Sequence, residues 1–269
     1  MKTLSHPFDA AASSYDAVFT TRRLGRWLRE MVHDYLARTF RAGDHILELN
    51  CGTGEDAIWL AKRGVRVTAT DVSLDMLKQA QNKVEAAKIA SNVQFAHLDL
   101  NSLDTFGTSD ASRVRQYDGA FSNFGGLNCV AERRPLVKML ARVVRPGGYV
   151  ILVPMGPLCP WEIGWYLTHG QVRTAFRRIG SDVDAHLGKG RTIRVWYPSP
   201  HQLRSEFASH FHHVRTIGIG TFLPPSYLDH LVERWPNLFE RLAKVDKQIG
   251  RFFPWTWLND HYLVIVQRR

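Results

Sequence analysis

Apolar positions along this chain change period in a regular way. Phe8, Ala12 and Tyr15 recur at one-turn spacing, and Leu24, Trp27, Leu28, Met31, Val32, Tyr35 and Leu36 follow the i, i+3, i+4, i+7 stripe of an amphipathic helix. Two helices are therefore predicted ahead of the first strand. That strand is 45–49, a short apolar run entered through Gly43-Asp44 and left through glycines, as a strand buried on both faces should be. Helical period returns with Ala57, Ile58, Leu60 and Ala61 and stops at Arg63-Gly64, where glycine accepts a left-handed C-terminal conformation. Residues 65–70 read as the second strand. Ser73 is placed to cap a following helix whose inner face is Leu77, Ala80 and Val84.

The alternation continues with a strand near 93–96, a polar loop over 101–115, a strand near 118–122, a helix near 136–144, a turn at Arg145-Pro146-Gly147-Gly148 and an apolar strand over 149–153. Beyond Pro154 the pattern becomes mixed: helical over 161–178, extended over 192–197, helical over 200–207. Two further strands, 214–219 and 262–267, flank a helical insertion containing Tyr227, Leu231, Leu238 and Leu242. Five βα alternations predict an α/β, doubly wound and mostly parallel sheet, and the two last strands would close it at seven. One domain is expected over 1–269: N-terminal helices forming a lid (1–42), a ligand-binding core (43–154), and substrate-side elements with the closing strands and a helical insertion (155–269).

Composition adds bounds. With 45% hydrophobic and 22% charged residues, the 269-residue chain has ample material for a packed core. The net charge of +10 raises an anionic partner, but the basic residues are scattered in short pairs such as Arg22-Arg23 and Arg177-Arg178, so a solvated surface is the expected reading and nucleic acid is not. Three separated cysteines argue against a disulfide framework or zinc cluster and suit a cytoplasmic setting. No stretch approaches the ~18 uninterrupted apolar residues of a membrane span.

The chemistry concentrates in Glu48-Leu49-Asn50-Cys51-Gly52-Thr53-Gly54. Glycines between a strand and a helix let backbone approach a ligand, the helix start offers free N–H groups, and an acid ending the next strand, Asp71, can accept from both hydroxyls of a ribose. An adenosine-type ligand is implied. Gly52-Thr53-Gly54-Glu55-Asp56-Ala57 also fits the dinucleotide pattern G-x-G-x-x-A, so the glycines leave NAD open; Glu48 and Glu55-Asp56 would crowd a pyrophosphate and favour a cationic cofactor.

With these residues in order, the chain resembles the class I S-adenosylmethionine-dependent methyltransferases over roughly residues 8 to 153. Glu48, Gly52 and Gly54 match the first motif, with Asn50 at its first glycine, a substitution asparagine tolerates because it visits the left-handed region. Asp71-Val72-Ser73-Leu74-Asp75-Met76-Leu77 is similar to the next signature, Leu98-Asp99-Leu100 to the adenine-contacting segment, and Asp118 to Phe124 to the fourth motif. The resemblance implies a Rossmann-like methyltransferase fold, with S-adenosyl-L-methionine held by Tyr15, Glu48, Asn50, Cys51, Gly52, Gly54, Asp71, Val72, Met76, Asp99, Leu100 and Asn123, and S-adenosyl-L-homocysteine as product. A small-molecule acceptor with an O, N, S or C nucleophile is expected; of Trp161, Trp165, Tyr166, Trp196, Tyr197, Tyr227, Trp255 and Trp257, some are expected in the core and others in an apolar acceptor pocket. His97 would face the same cleft; His210, His212 and His213 lack acidic partners at ligand spacing, so no metal is expected. No general base is identified. RNA or DNA methylation is the alternative, although Ser122-Asn123-Phe124-Gly125 lacks the Pro-Pro-aromatic signature of base modification; a non-catalytic cofactor-binding protein is the other.

Overall fold

The computed structural model describes residues 6–103, 116–180, 182–188 and 191–269. The strands are β1 (His45–Leu49), β2 (Arg66–Asp71), β3 (Val93–His97), β4 (Tyr117–Ser122), β5 (Val144–Leu152), β6 (Val183–Gly188), β7 (Arg191–Val195), β8 (Phe211–Ile219) and β9 (His261–Arg268). The α-helices are α1 (Arg23–Thr39), α2 (Glu55–Ala61), α3 (Leu74–Ala86), α4 (Arg134–Val143), α5 (Pro160–Thr168), α6 (Val172–Ala175), α7 (Pro200–Phe207), α8 (Asp229–Arg234) and α9 (Pro236–Ile249).

Seven strands form one sheet in the order β3-β2-β1-β4-β5-β9-β8. Pairing from β3 through β5 is parallel, and β9 is antiparallel to both β5 and β8. Period-2 alternation splits the core into two layers. Ile46, Phe121, Ile151 and Leu263 face one cluster with Leu28, Met31 and Leu36 of α1, Leu60 of α2 and Phe239 of α9. Leu47, Ala120, Val150 and Tyr262 face the other, with Leu140 of α4 and Phe207 of α7. The chain reverses its direction of travel across the sheet between β1 and β4, which opens a crevice at their carboxyl ends.

The expected βαβ units stand where the periodicity put them. The Ser73 hydroxyl accepts from the Met76 N–H at 3.2 Å, and Gly64 has φ +80°. The Arg145–Gly148 turn is a bulge inside β5: Tyr117 pairs with Val144, but Gly119 pairs with Tyr149. Most of the polar loop expected over 101–115 lies outside the described residues.

Two expectations are corrected. The first N-terminal helix is two tight turns, a 3-10 turn over Pro7–Ala11 and a π turn over Asp16–Thr20, in which the Thr21 N–H donates to the Asp16 carbonyl five residues back. The helix expected over 161–178 breaks at Gly170 (φ +72°). The extended segment expected over 192–197 is strand over 192–195, where it pairs with β6 in a separate β6–β7 hairpin whose first strand carried no recognised signal. In the insertion between β8 and β9, the core-facing residues are Leu228, Val232, Phe239 and Ala243, while Tyr227 and Leu238 are exposed.

Candidate functional site

A cavity of about 370 Å³ lies at the carboxyl ends of β1, β2 and β4, within the usual range for a small-molecule site. Its floor is the loop after β1. Asn50 there has φ +58°, and its Oδ1 accepts from the Ser122 hydroxyl at 3.1 Å. A Cβ on Gly126 would run into the Asn50 side chain, so the asparagine in the loop and the glycine after β4 fit as a pair. Gly52 (φ +53°) has no atom within 4 Å of where a Cβ would stand, leaving room on the cavity side for a ligand to approach its backbone. Gly54 is required for another reason: at φ +79° its Cβ would lie 2.8 Å from Ala80 Cβ, so it lets α2 start close against α3.

Asp71 ends β2 buried beside this loop. Its two carboxylate oxygens accept the Gly52 and Ser73 N–H groups, each at 2.9 Å. Burial pushes its pKa up, and those N–H groups oppose the rise. Each oxygen keeps acceptor capacity for a ligand hydroxyl. Val72, Met76, Asp99 and Leu100 continue the wall from the ends of β2 and β3, and Tyr15, Cys51 and Asn123 also line the cavity.

Ten of the twelve expected site residues therefore surround one cavity; Glu48 and Gly54 lie outside its wall. Glu48 is buried behind the loop with Oε2 unpaired, and burial, reinforced by Asp56 and Asp71, pushes its carboxyl well above the ordinary value. Glu55 is ion-paired with Lys83, Asp56 is paired with Arg29, and burial favours the neutral form of Glu48. These three acids therefore present little free negative charge to a pyrophosphate.

The sequence reading missed the cluster around Asp56. Arg29 of α1 meets its Oδ2 at 2.5 Å, His33 Nε2 meets Oδ1 at 2.7 Å, and Asn123 Nδ2 donates to Oδ2 at 2.9 Å. Burial opposes ionisation of Asp56, but the Arg29 charge and the His33 contacts outweigh it and hold the carboxyl well below its usual range. Arg29 lines the cavity, and its Nε is buried without a partner. An acid one residue before the apolar Ala57-Ile58 pair, and four before the core residue Leu60, was the available signal for Asp56. Nothing local distinguished Arg29 from Arg22, Arg23 or Arg26.

The same cavity has an apolar part of its lining: Phe8, Phe124, Val130, Met155, Ile193 and Val195. Phe124 has φ +43°, a conformation rare for an aromatic residue, and its ring is held edge-on by Phe19 at 5.2 Å and His261 at 5.4 Å with the Arg29 guanidinium 5.2 Å from its centroid. None of the eight late aromatics, expected to divide between core and acceptor pocket, lines this cavity. Trp161 packs on Phe239, and Tyr227 donates to Glu162 at 2.8 Å within a buried Glu162–Arg178–Asp260 network. His97 is also outside the wall and contacts the Val72 carbonyl at 3.0 Å through Nε2. Among the described residues no group of three or more potential ligands could hold a metal ion. Cys51, Cys129 and Cys159 are free, and burial pushes the Cys129 thiol up to about 12.

The N-terminal turns cover one rim. The Ser73 hydroxyl donates to Asp9 at 2.6 Å and the Thr53 hydroxyl to Asp16 at 2.6 Å, with Lys83 2.9 Å from Asp16. No helix among the described residues is long and apolar enough to cross a membrane.

A family model described as a methyltransferase domain matches residues 46–148. A demethylmenaquinone methyltransferase of Paenarthrobacter aurescens (strain TC1) is 30% identical over 201 residues, covering 72% of this chain and 72% of that protein. Among solved structures, an S-adenosylmethionine-dependent methyltransferase from Mesorhizobium loti superposes with a TM-score of 0.55 at 18% identity, over 91% of this chain and 97% of that one. The DhpI–SAH complex gives a TM-score of 0.59 at 18% identity, over 97% and 93%.

Proposed function

We propose that this chain, which belongs to the class I S-adenosylmethionine-dependent methyltransferases, holds its methyl donor across the carboxyl ends of β1, β2 and β3 and methylates a small apolar acceptor seated against the β6–β7 hairpin. The observation that carries this reading is the mixed lining of one cavity: polar groups at Asp71, Gly52 and Arg29 share it with apolar side chains of Phe124, Met155, Ile193 and Val195. The relative from Paenarthrobacter, named for a menaquinone precursor, supports an apolar small molecule as the acceptor class.

When bound, S-adenosylmethionine supplies a methyl group on a sulfonium, electrophilic enough that the protein's main task is to align a nucleophile and keep water out. Asp71 accepts from the ribose hydroxyls. Val72 and Met76 pack against the adenine, whose polar edge is read by Asp99 and the backbone at Leu100. The backbone of Asn50, Cys51 and Gly52 follows the methionine portion, and the buried guanidinium of Arg29 receives its carboxylate. Glu48 and Gly54 act from behind by shaping the loop. Tyr15 and Asn123 line the cavity that donor and acceptor would share, and the N-terminal lid, over its described residues 6–42, is latched through Asp9 and Asp16. A cytoplasmic location belongs to the same reading and accords with the three free thiols.

Calorimetry with S-adenosylmethionine, S-adenosylhomocysteine and NAD on wild type and Asp71→Ala tests the donor assignment. Wild type should bind both sulfur compounds and not NAD. Loss of two hydrogen bonds to a charged acceptor should weaken binding about a hundredfold. Undiminished binding by Asp71→Ala would remove Asp71 from the site.

A further inference from the structure

The insertion between β8 and β9 presents an apolar and basic surface with no part in the cavity. On α9, Leu238, Arg241 and Val245 recur at three- and four-residue spacing and so form one stripe, opposite the buried Phe239, Ala243 and Asp246. The chain continues from the end of α9 into an aromatic loop in which Phe252 is 52% exposed, Phe253 82% and Trp257 36%. Apolar side chains this open and this close in sequence are uncommon on a surface that serves only water.

The charge around them has one dominant sign. Between residues 238 and 257 the exposed ionisable groups are Arg241, Lys244, Lys247 and Arg251 with one exposed acid, Glu240, and the other acid, Asp246, is buried. Lys244 pairs with Glu240 at 2.9 Å and Lys247 with Asp34 at 3.2 Å, both exposed pairs that competing anions can displace. Among the described residues no carboxylate lies within ion-pair distance of Arg241 or Arg251; the Arg251 guanidinium lies 4.8 Å from the Phe252 ring centroid. Phenylalanine and tryptophan beside a cationic helix face form the pattern of an interfacial helix, whose rings enter the headgroup boundary while lysine and arginine meet lipid phosphates.

We infer that α9 and the loop over 250–257 dock this protein on an anionic lipid bilayer surface without crossing it. A protein partner would need an acidic face shaped to this patch, whereas a phosphate-bearing bilayer meets both the charge and the exposed rings.

Co-sedimentation with phosphatidylcholine vesicles, with and without phosphatidylglycerol, tests the inference. Wild type is expected to partition onto the mixed vesicles, to remain in solution with phosphatidylcholine alone, and to be released by salt. Arg241→Gln/Arg251→Gln should lower partitioning about fivefold for each charge removed, and Phe252→Ser/Phe253→Ser about tenfold for each ring. Both variants should keep wild-type affinity for S-adenosylhomocysteine, which shows that they fold. Wild type that ignores anionic vesicles, or variants that partition undiminished, would overturn the proposal. So would a wild-type dimer in sedimentation equilibrium that the double phenylalanine variant dissociates without any vesicle binding.

Discussion

The Arg29–Asp56 pair joins helix α1 to the first turn of α2, next to the loop that lines the cavity, and its removal has a calculable consequence. The side chains are 12% and 6% exposed and meet at 2.5 Å, so neither charge has water in reserve. Asp56→Asn keeps the shape but strands the guanidinium, and breaking a buried pair on one side typically costs ~3–5 kcal/mol. Against the ~5–15 kcal/mol total of an ordinary domain, that loss should be plain in urea unfolding at neutral pH. The exposed Lys244–Glu240 pair is the control: Glu240→Gln should cost under ~0.5 kcal/mol. Arg29→Met/Asp56→Asn removes the stranded charge and should regain at least half the loss, while S-adenosylhomocysteine affinity should fall because Arg29, the proposed partner of its carboxylate, is gone. The sign with pH follows from the depressed Asp56 pKa. The ionised pair stabilises the fold fully above the ordinary carboxylate value near ~4 and loses that contribution as pH falls toward the folded-state value. The gap between wild type and Asp56→Asn should therefore narrow below about pH 4. A loss smaller than ~1 kcal/mol, or a double variant no more stable than the single one, would refute the reasoning.

Other outcomes follow from single sites. Gly54→Ala should lose ~2–4 kcal/mol in chemical denaturation, combining left-handed strain with a 2.8 Å approach to Ala80, whereas Gly43→Ala (φ +93°, open space) should show the strain alone. Asp246 is buried with its pKa raised to about 7, so in the wild type its ionisation opposes folding increasingly as pH rises from ~4 to that value. Asp246→Asn should gain stability relative to wild type across that window by as much as ~4 kcal/mol, read from Tm at pH 5 and pH 8; an equal difference at both would exclude the titration. Ile193→Asn, on the apolar wall, should raise KM for an accepted substrate at least about tenfold with S-adenosylmethionine affinity unchanged. An equal loss for both ligands would place Ile193 elsewhere.

The parts legible in the sequence share a property: their information is local. Ser73 caps the helix that starts beside it, Gly64 ends the one before it, and Asp71 follows the apolar strand that positions it. Asn50 could be assigned a left-handed conformation from its place in the loop alone. The N-terminal segment failed the same test because one-turn spacing cannot distinguish an α-helix from successive 3-10 and π turns with similar rise. The late aromatics failed because an aromatic-rich segment does not say which wall it joins.

The sequence by itself determined the order of βαβ units, the loop after β1, the acid that ends β2 and hence where the cofactor side of the site is proposed, since turn residues and hydrophobic period act within a few residues. Only the tertiary structure decided that Arg29 meets Asp56 across 27 positions, that β9 runs antiparallel between β5 and β8, and that the cavity takes its apolar wall from Phe124 and the β6–β7 hairpin in place of the tryptophans. Those contacts join residues far apart in the chain, so their partners are selected by competition among packed arrangements that no local pattern records.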